Sequence, residues 1–283
     1  MKTFIIVKNS LKRKFAVSNY ISFMLFFPLF LSLLFILVFS NMTTLKEEDN
    51  LKEQATYEKL GHFENQLYTV SYLEPKNKSE SLPQPAIQIA STMLVFAILL
   101  QATYGMEQIH YLNQCVGKRV CLAPISKMSI YIGEYLASLL IALFEGIAIS
   151  ICMELFFKVG LSRNKGELFI IILCCSMMAI AVGIGIGLMI RDELVGSSLI
   201  TFFILLGAFT SGGLTPGIID FKLIKKFSFY TGITDSILDI CQWGKVQHMG
   251  RLIMLTLGIG LFFISIGYVV AWRIKKWGDR HGD

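Results

Sequence analysis

Glu145 lies in an apolar run, 130–152, that is long enough to cross a bilayer. It stands roughly 22 Å along that run at 1.5 Å per residue, past the bilayer middle. Gln101 sits in a second such run, 86–104. Polar groups at that depth are costly, so they mark a partner on a neighbouring helix or a path for a cargo. Both readings stay open for Glu145. The residues that could do covalent chemistry are differently arranged. The four His, at 62, 110, 248 and 281, are scattered and never at ligand spacing. The six Cys make no CxxC, so neither a metal site nor a disulfide framework is predicted. There is no HExxH, no GxSxG and no GxxxxGK[ST]. Gly117-Lys118-Arg119 lacks the upstream Gly and the Ser/Thr that would cradle a phosphate and bind magnesium. The expectation is a chain that is not an enzyme. If ATP drives it, the nucleotide site is on another chain.

Lys118, Arg119 and Lys127 stand in a short knuckle that turns at Pro124 and runs straight into the 130–152 segment. Apolar residues Val116, Val120 and Leu122 lie beside and between the charges. A free cytoplasmic loop would leave them uncovered, so a second protein is expected to grip them.

Composition sets what must position these residues. The chain is 54% hydrophobic and 16% charged, with mean hydropathy +0.61. Soluble domains carry about 25% charged residues. Six windows approach the ~20 apolar residues of a membrane helix: 20–40, 86–104, 130–152, 169–190, 195–211 and 252–272. They predict an all-α integral membrane protein, one transmembrane domain over 1–283. The run at 20–40 is too long for a signal core, and Phe39-Ser40-Asn41 is no small-x-small cleavage site, so it reads as a retained helix.

Lys2, Lys8, Lys12, Arg13 and Lys14 precede the first window, and Arg273, Lys275, Lys276 and Arg280 follow the last. Positive flanks stay inside, so both termini are expected in the cytoplasm of a plasma-membrane protein. Segments 41–85 and 212–251 are then the long outside loops. The Lys cluster 222, 225, 226 and 245 runs against this rule, and the leader is taken to dominate. The net charge of +6 thus reflects flanks meeting anionic lipid, and no nucleic-acid partner is predicted.

Phe4, Val7, Leu11 and Phe15 recur at helical spacing, which predicts a leader helix lying in the headgroup plane. Gly183 and Gly187, four apart in AVGIGIGL, let another helix approach closely. Glu134 and Glu154 lie near the ends of the third run, within expected reach of water. The fifth loop is too apolar to be solvated and too broken to span, and predicts two short re-entrant helices, 218–229 and 235–243.

The segment PISKMSIYIGEYLASLLIAL, with Pro124, Ser126, Lys127 and Gly133 as its turn and first Gly, resembles the cytoplasmic loop and third span of ABC type-2 permeases. The layout of basic leader, six spans and long first and fifth outside loops is similar over essentially the whole chain. The family commonly has Lys after the Gly, where this chain has Glu134. The resemblance implies an exporter of a hydrophobic or amphipathic compound, such as a peptide antibiotic, drug or lipid, from a bacterial cell. It implies cytoplasmic ATPase subunits that hold ATP and magnesium, a second permease chain, and no cofactor in this chain. Val116, Gly117, Lys118, Arg119, Val120, Leu122 and Pro124 would couple to the ATPase. Gln101, Thr103, Glu145, Thr201, Phe202, Phe203 and Phe209 would line the substrate path. The alternative is a non-transporting membrane sensor or immunity protein, which would need no docking knuckle.

Overall fold

Helices in lipid gain little from burying apolar surface against each other, so their packing depends on how closely two backbones can come. Glycine decides this. A Cβ built on Gly183 would overlap the Ala102 carbonyl oxygen, and one on Gly105 that of Ile180. On the opposite side, a Cβ on Gly185 would fall 2.5 Å from the Phe263 oxygen, and one on Gly267 2.6 Å from the Gly185 oxygen. Residues two apart on a helix point roughly 200° apart. AVGIGIGL therefore turns Gly183 and Gly187 to one neighbour and Gly185 to another. The close approach expected at Gly183 and Gly187 is present, and the second one at Gly185 adds to it.

The computed structural model describes residues 2–16, 26–27, 30, 34, 85–113, 126–157, 159–190, 192–211 and 228–281. Among them every regular element is helical. The elements are α1 (Lys2–Ala16), α2 (Pro85–Leu100), α3 (Ala102–Asn113), α4 (Lys127–Phe157), a 3₁₀ turn (Leu161–Asn164), α5 (Lys165–Met189), α6 (Glu193–Thr210), α7 (Phe229–Trp243) and α8 (Met249–His281). Among the described residues, five stretches are long and apolar enough to cross a membrane: Ile87–Leu112, Met128–Phe156, Leu161–Met189, Glu193–Thr210 and Met249–Ala271. They match the second to sixth expected spans. The first, 20–40, lies outside the described residues except for Phe26, Phe27, Phe30 and Leu34.

Helix α5 is the axis, with α3 on one side and α8 on the other. Its start is fixed by Asn164, whose Oδ1 accepts the Glu167 amide at 3.2 Å. Glu167 also places a negative charge at the positive helix end. Asp192 caps α6 in the same way, accepting from the Leu194 and Val195 amides. The α2–α3 window is 100% buried by the rest of the chain, against 22% for α6 and 17% for α8. The chain thus encloses α2–α3 and presents α6 and α8 outward.

The fifth loop corrects one expectation. The helix expected at 235–243 begins at Phe229, and Tyr230-Thr231-Gly232 does not interrupt it. Ser228 caps it by accepting from the Thr231 amide, and Gly244, at φ 67°, ends it. Tyr230 donates to the Thr92 carbonyl at 2.7 Å and holds the first turn against α2. Ile233, Ile237 and Ile240 then form one buried face. The rest of the expected first helix, 218–227, lies outside the described residues. Side-chain contacts lock α7 to the α4–α5 connection: Arg163 to the Gln242 carbonyl at 2.6 Å, Asn164 to the Gly244 carbonyl at 3.1 Å, and the Val246 amide to Glu167 at 2.6 Å.

Gly183→Ala forces α3 and α5 apart, because the obstruction is backbone. We expect a loss of about 1–3 kcal/mol, the usual cost of overpacking. Gly258→Ala, with nothing within 4 Å of its Cβ, is expected to cost nothing. Thermal unfolding of the two variants in detergent, followed by size-exclusion chromatography, separates the cases.

Candidate functional site

One face of α4 carries Glu134, Ser138 and Glu145, separated by four and seven residues, so they share a helical stripe. All three are buried. The partners come from α1 and α3. At Glu134, Ser10 Oγ donates to Oε2 at 2.7 Å and Arg13 Nη2 donates to the same oxygen at 2.9 Å. Arg13 Nη1 reaches Oε1 at 3.5 Å. One turn further, Lys14 Nζ donates to Ser138 Oγ at 2.9 Å. Two turns beyond that, the Tyr104 hydroxyl donates to Glu145 Oε1. Gln101 then bridges three helices: its Nε2 donates to the Ala142 carbonyl of α4 at 2.7 Å, and its Oε1 accepts from Ser176 of α5 at 2.8 Å. The result is a polar spine from the leader to the interior of the bundle.

The aromatic rings of α3 complete the leader's seat. The Arg13 guanidinium lies 3.4 Å from the Tyr111 ring centroid, and the Lys14 ammonium 5.2 Å from that of Tyr104. A Cβ on Gly133 would come 2.7 Å from Ile6 Cγ2, so Gly133 is where α1 lies against α4. Burial lowers the Lys14 amine from its ordinary value, opposed by the charges of Glu107, Glu134 and Glu145.

This geometry corrects one expectation. Glu134 does not reach water; it is 4% exposed and carries an ion pair. The leader meets the protein through Ser10 and Lys14, while Phe4, Ile5 and Phe15 are 73%, 52% and 51% exposed. Helix α4 offers acid and hydroxyl groups to Ser10, Arg13 and Lys14, and the outward face carries Lys8 and Lys12 beside the Phe side chains.

A separate cavity of about 790 Å³ opens between α3, α5, α6 and α8, lined by Ala102, Val182, Ile186, Phe203, Gly207 and Phe263 among others. Its wall is almost wholly apolar.

These helices and this leader fit a known pattern. A model of the ABC-2 type transporter family matches residues 1–241. The chain belongs to that family. It is therefore a permease component of an ABC transporter. No curated protein and no solved structure matches it.

The ABC-2 chain distributes its expected site residues over three places. Val116, Gly117, Lys118, Arg119, Val120, Leu122 and Pro124 lie outside the described residues. Gln101, Thr103 and Glu145 are enclosed within the chain, and Thr103 bonds back to the Leu100 carbonyl at 2.8 Å. Thr201, Phe202, Phe203 and Phe209 are on α6, and the three Phe are exposed. The rings of Phe202 and Phe203 meet edge to face at 6.0 Å. Phe203 also lines the apolar cavity. Sequence reasoning gave Arg13, Lys14 and Glu134 other roles and passed over Ser10, Tyr104 and Ser138. The signal was present: two polar residues four apart on the leader, and a polar stripe within α4.

Tyr104→Phe removes the hydroxyl donor from Glu145, and we expect a loss of about 1–3 kcal/mol for the group left without it. Glu145→Gln in the Tyr104→Phe background is expected to add little. A double-mutant cycle on thermal unfolding in detergent checks this, with strict additivity as the contrary result.

Proposed function

We propose that this permease is the membrane subunit of an ATP-driven exporter, powered by a separate ATPase chain that holds ATP and magnesium. The observation that carries the reading is the position of the spine. Residues 114–125 join α3 to α4; near that join α3 bonds α4 from Gln108 to the Tyr131 carbonyl, α1 bonds α4 at Glu134 and Ser138, and Arg13 of α1 lies over Tyr111 of α3. A protein gripping the join moves a braced unit rather than a loose loop. Val116, Val120 and Leu122 enter apolar pockets of the ATPase, Lys118 and Arg119 meet its acidic rim, and Gly117 and Pro124 shape the turn.

A second permease chain, identical or similar, completes the pathway. The sparse burial of α6 and α8 within one chain supports this. Thr201, Phe202, Phe203 and Phe209 form the wall of the shared path, with Gln101, Thr103 and Glu145 holding the helices behind it. Closure of the ATPase pair rocks the two permeases from inside-facing to outside-facing. An apolar cavity beside Phe203 favours a hydrophobic or amphipathic cargo, such as a peptide antibiotic, drug or lipid. The chain sits in a bacterial plasma membrane with both termini in the cytoplasm.

Arg119→Asp combined with Leu122→Asp is expected to abolish association with the ATPase while membrane insertion stays intact. Mild-detergent purification of the tagged chain from its host, with mass spectrometry of what accompanies it, measures both. Unchanged association removes the docking assignment; a wild-type chain that brings no ATPase removes the exporter reading.

A further inference from the structure

The exporter reading leaves α1 without a task, yet α1 makes the best-bonded contact in the polar spine. Glu134 takes three hydrogen bonds from α1, two of them from a guanidinium. It is buried to 4%, and the Arg13 side of the pair is 30% exposed. Lys14 adds a second point of attachment one turn along, at Ser138. Two points four residues apart on each helix fix both position and rotation, where one would leave a pivot. Gly133 removes the side chain that would hold the two helices apart. Meanwhile Phe4, Lys8, Lys12 and Phe15 fall on one exposed stripe of α1, with no acid anywhere in the helix. Such a stripe seats aromatic rings in the acyl boundary and ammonium groups among anionic headgroups.

We propose that Glu134 is a positioning residue that clamps α1 to the first turns of α4, so that α1 travels with α4 as a membrane-seated outrigger during the transport cycle. The inference rests on the exporter reading for the existence of that cycle. Its geometry is independent. Movement of α4 relative to the bilayer then has to drag the α1 stripe through the headgroup layer. The clamp makes the tilt of α4 answer to the lipid surface as well as to the ATPase. Without it, α4 would turn under α1, and only the 114–125 join would guide it.

The test is a pulsed spin-label distance between Asn9→Cys on α1 and Leu155→Cys at the far end of α4, in a chain whose native Cys are replaced. Both positions are exposed. The chain is studied with its copurified ATPase in nanodiscs containing anionic lipid, nucleotide-free and with ATP trapped by vanadate. We expect one narrow distance, the same in both states. Glu134→Arg is expected to broaden it, and adding Arg13→Glu to narrow it again, which a merely space-filling role for Glu134 would not produce. Glu134→Gln retains the volume and the Ser10 bond, and is expected to broaden the distribution less; it serves where Glu134→Arg fails to fold. A wild-type distance that changes on ATP trapping overturns the proposal. So does a Glu134→Arg or Glu134→Gln distribution as narrow as wild type. Absence of ATPase from the wild-type sample would instead strike at the exporter reading, while the nucleotide-free comparison still decides whether the clamp exists.

Discussion

The backbone contact between Gly183 and Ala102 is the constraint from which the rest of the bundle follows. Where a Cβ would overlap a carbonyl oxygen, no other residue type can stand without moving a helix. This contact sets α3 directly on α5. Gly185 sets α8 on the far side of the same helix. With α5 pressed between two neighbours, α4 has to pack across both α3 and α5, and does so at Gly146, whose Cβ would meet Ile172 at 2.7 Å. The polar spine lies on the α3–α4 side of that arrangement. Gly105 adds a second close approach of α3 to α5, at Ile180 and Ile184, next to the Tyr104 that bonds Glu145 of α4.

The break between α2 and α3 belongs to the same logic. Gln101 is the single turn residue inside an otherwise continuous apolar span. The Tyr104 amide there bonds to the Gln101 carbonyl at 3.0 Å, a tightened turn. An irregularity at that depth must be satisfied within the protein. The Gln101 amide and carbonyl keep backbone partners at Ile98 and Tyr104, while its side chain bonds α4 and α5. An amide can donate and accept at once, which a carboxylate cannot, and this explains why Gln rather than Glu stands at a three-helix junction.

Much of the fold was legible because its signals are local. Five of the expected spans coincide with helices, since twenty apolar residues have few other stable forms in lipid. Gly183 and Gly187 showed their packing role by spacing alone. The site was less legible. Glu145 was readable as a buried acid, but its partner Tyr104 looked like one more aromatic residue in an apolar run. Glu134 looked like a helix-end acid reaching water because nothing in α4 itself reveals that Arg13, on a distant segment, will arrive there. Pairing across such separations is a property of the packed bundle. The leader's apolar periodicity was legible, but its contacts through Ser10 and Lys14 depend on what α4 presents.

Those contacts have a consequence for how membrane and protein share the leader. An amphipathic helix with only lipid for company buries its apolar side and leaves its charges to water. Here the apolar stripe remains outward while Ser10 and Lys14 are taken up by the protein. Two environments therefore hold α1 from opposite sides, and neither competes for the other's groups. Lys8 and Lys12 remain exposed between Phe4 and Phe15, next to where headgroup phosphates would lie. The acid at Glu134 is what permits this arrangement. With Lys at 134, Arg13 and Lys14 would face a like charge in a low-dielectric contact, and α1 would have to turn its basic side away. The acid after Gly133 and the basic leader thus form one device, and each accounts for the other.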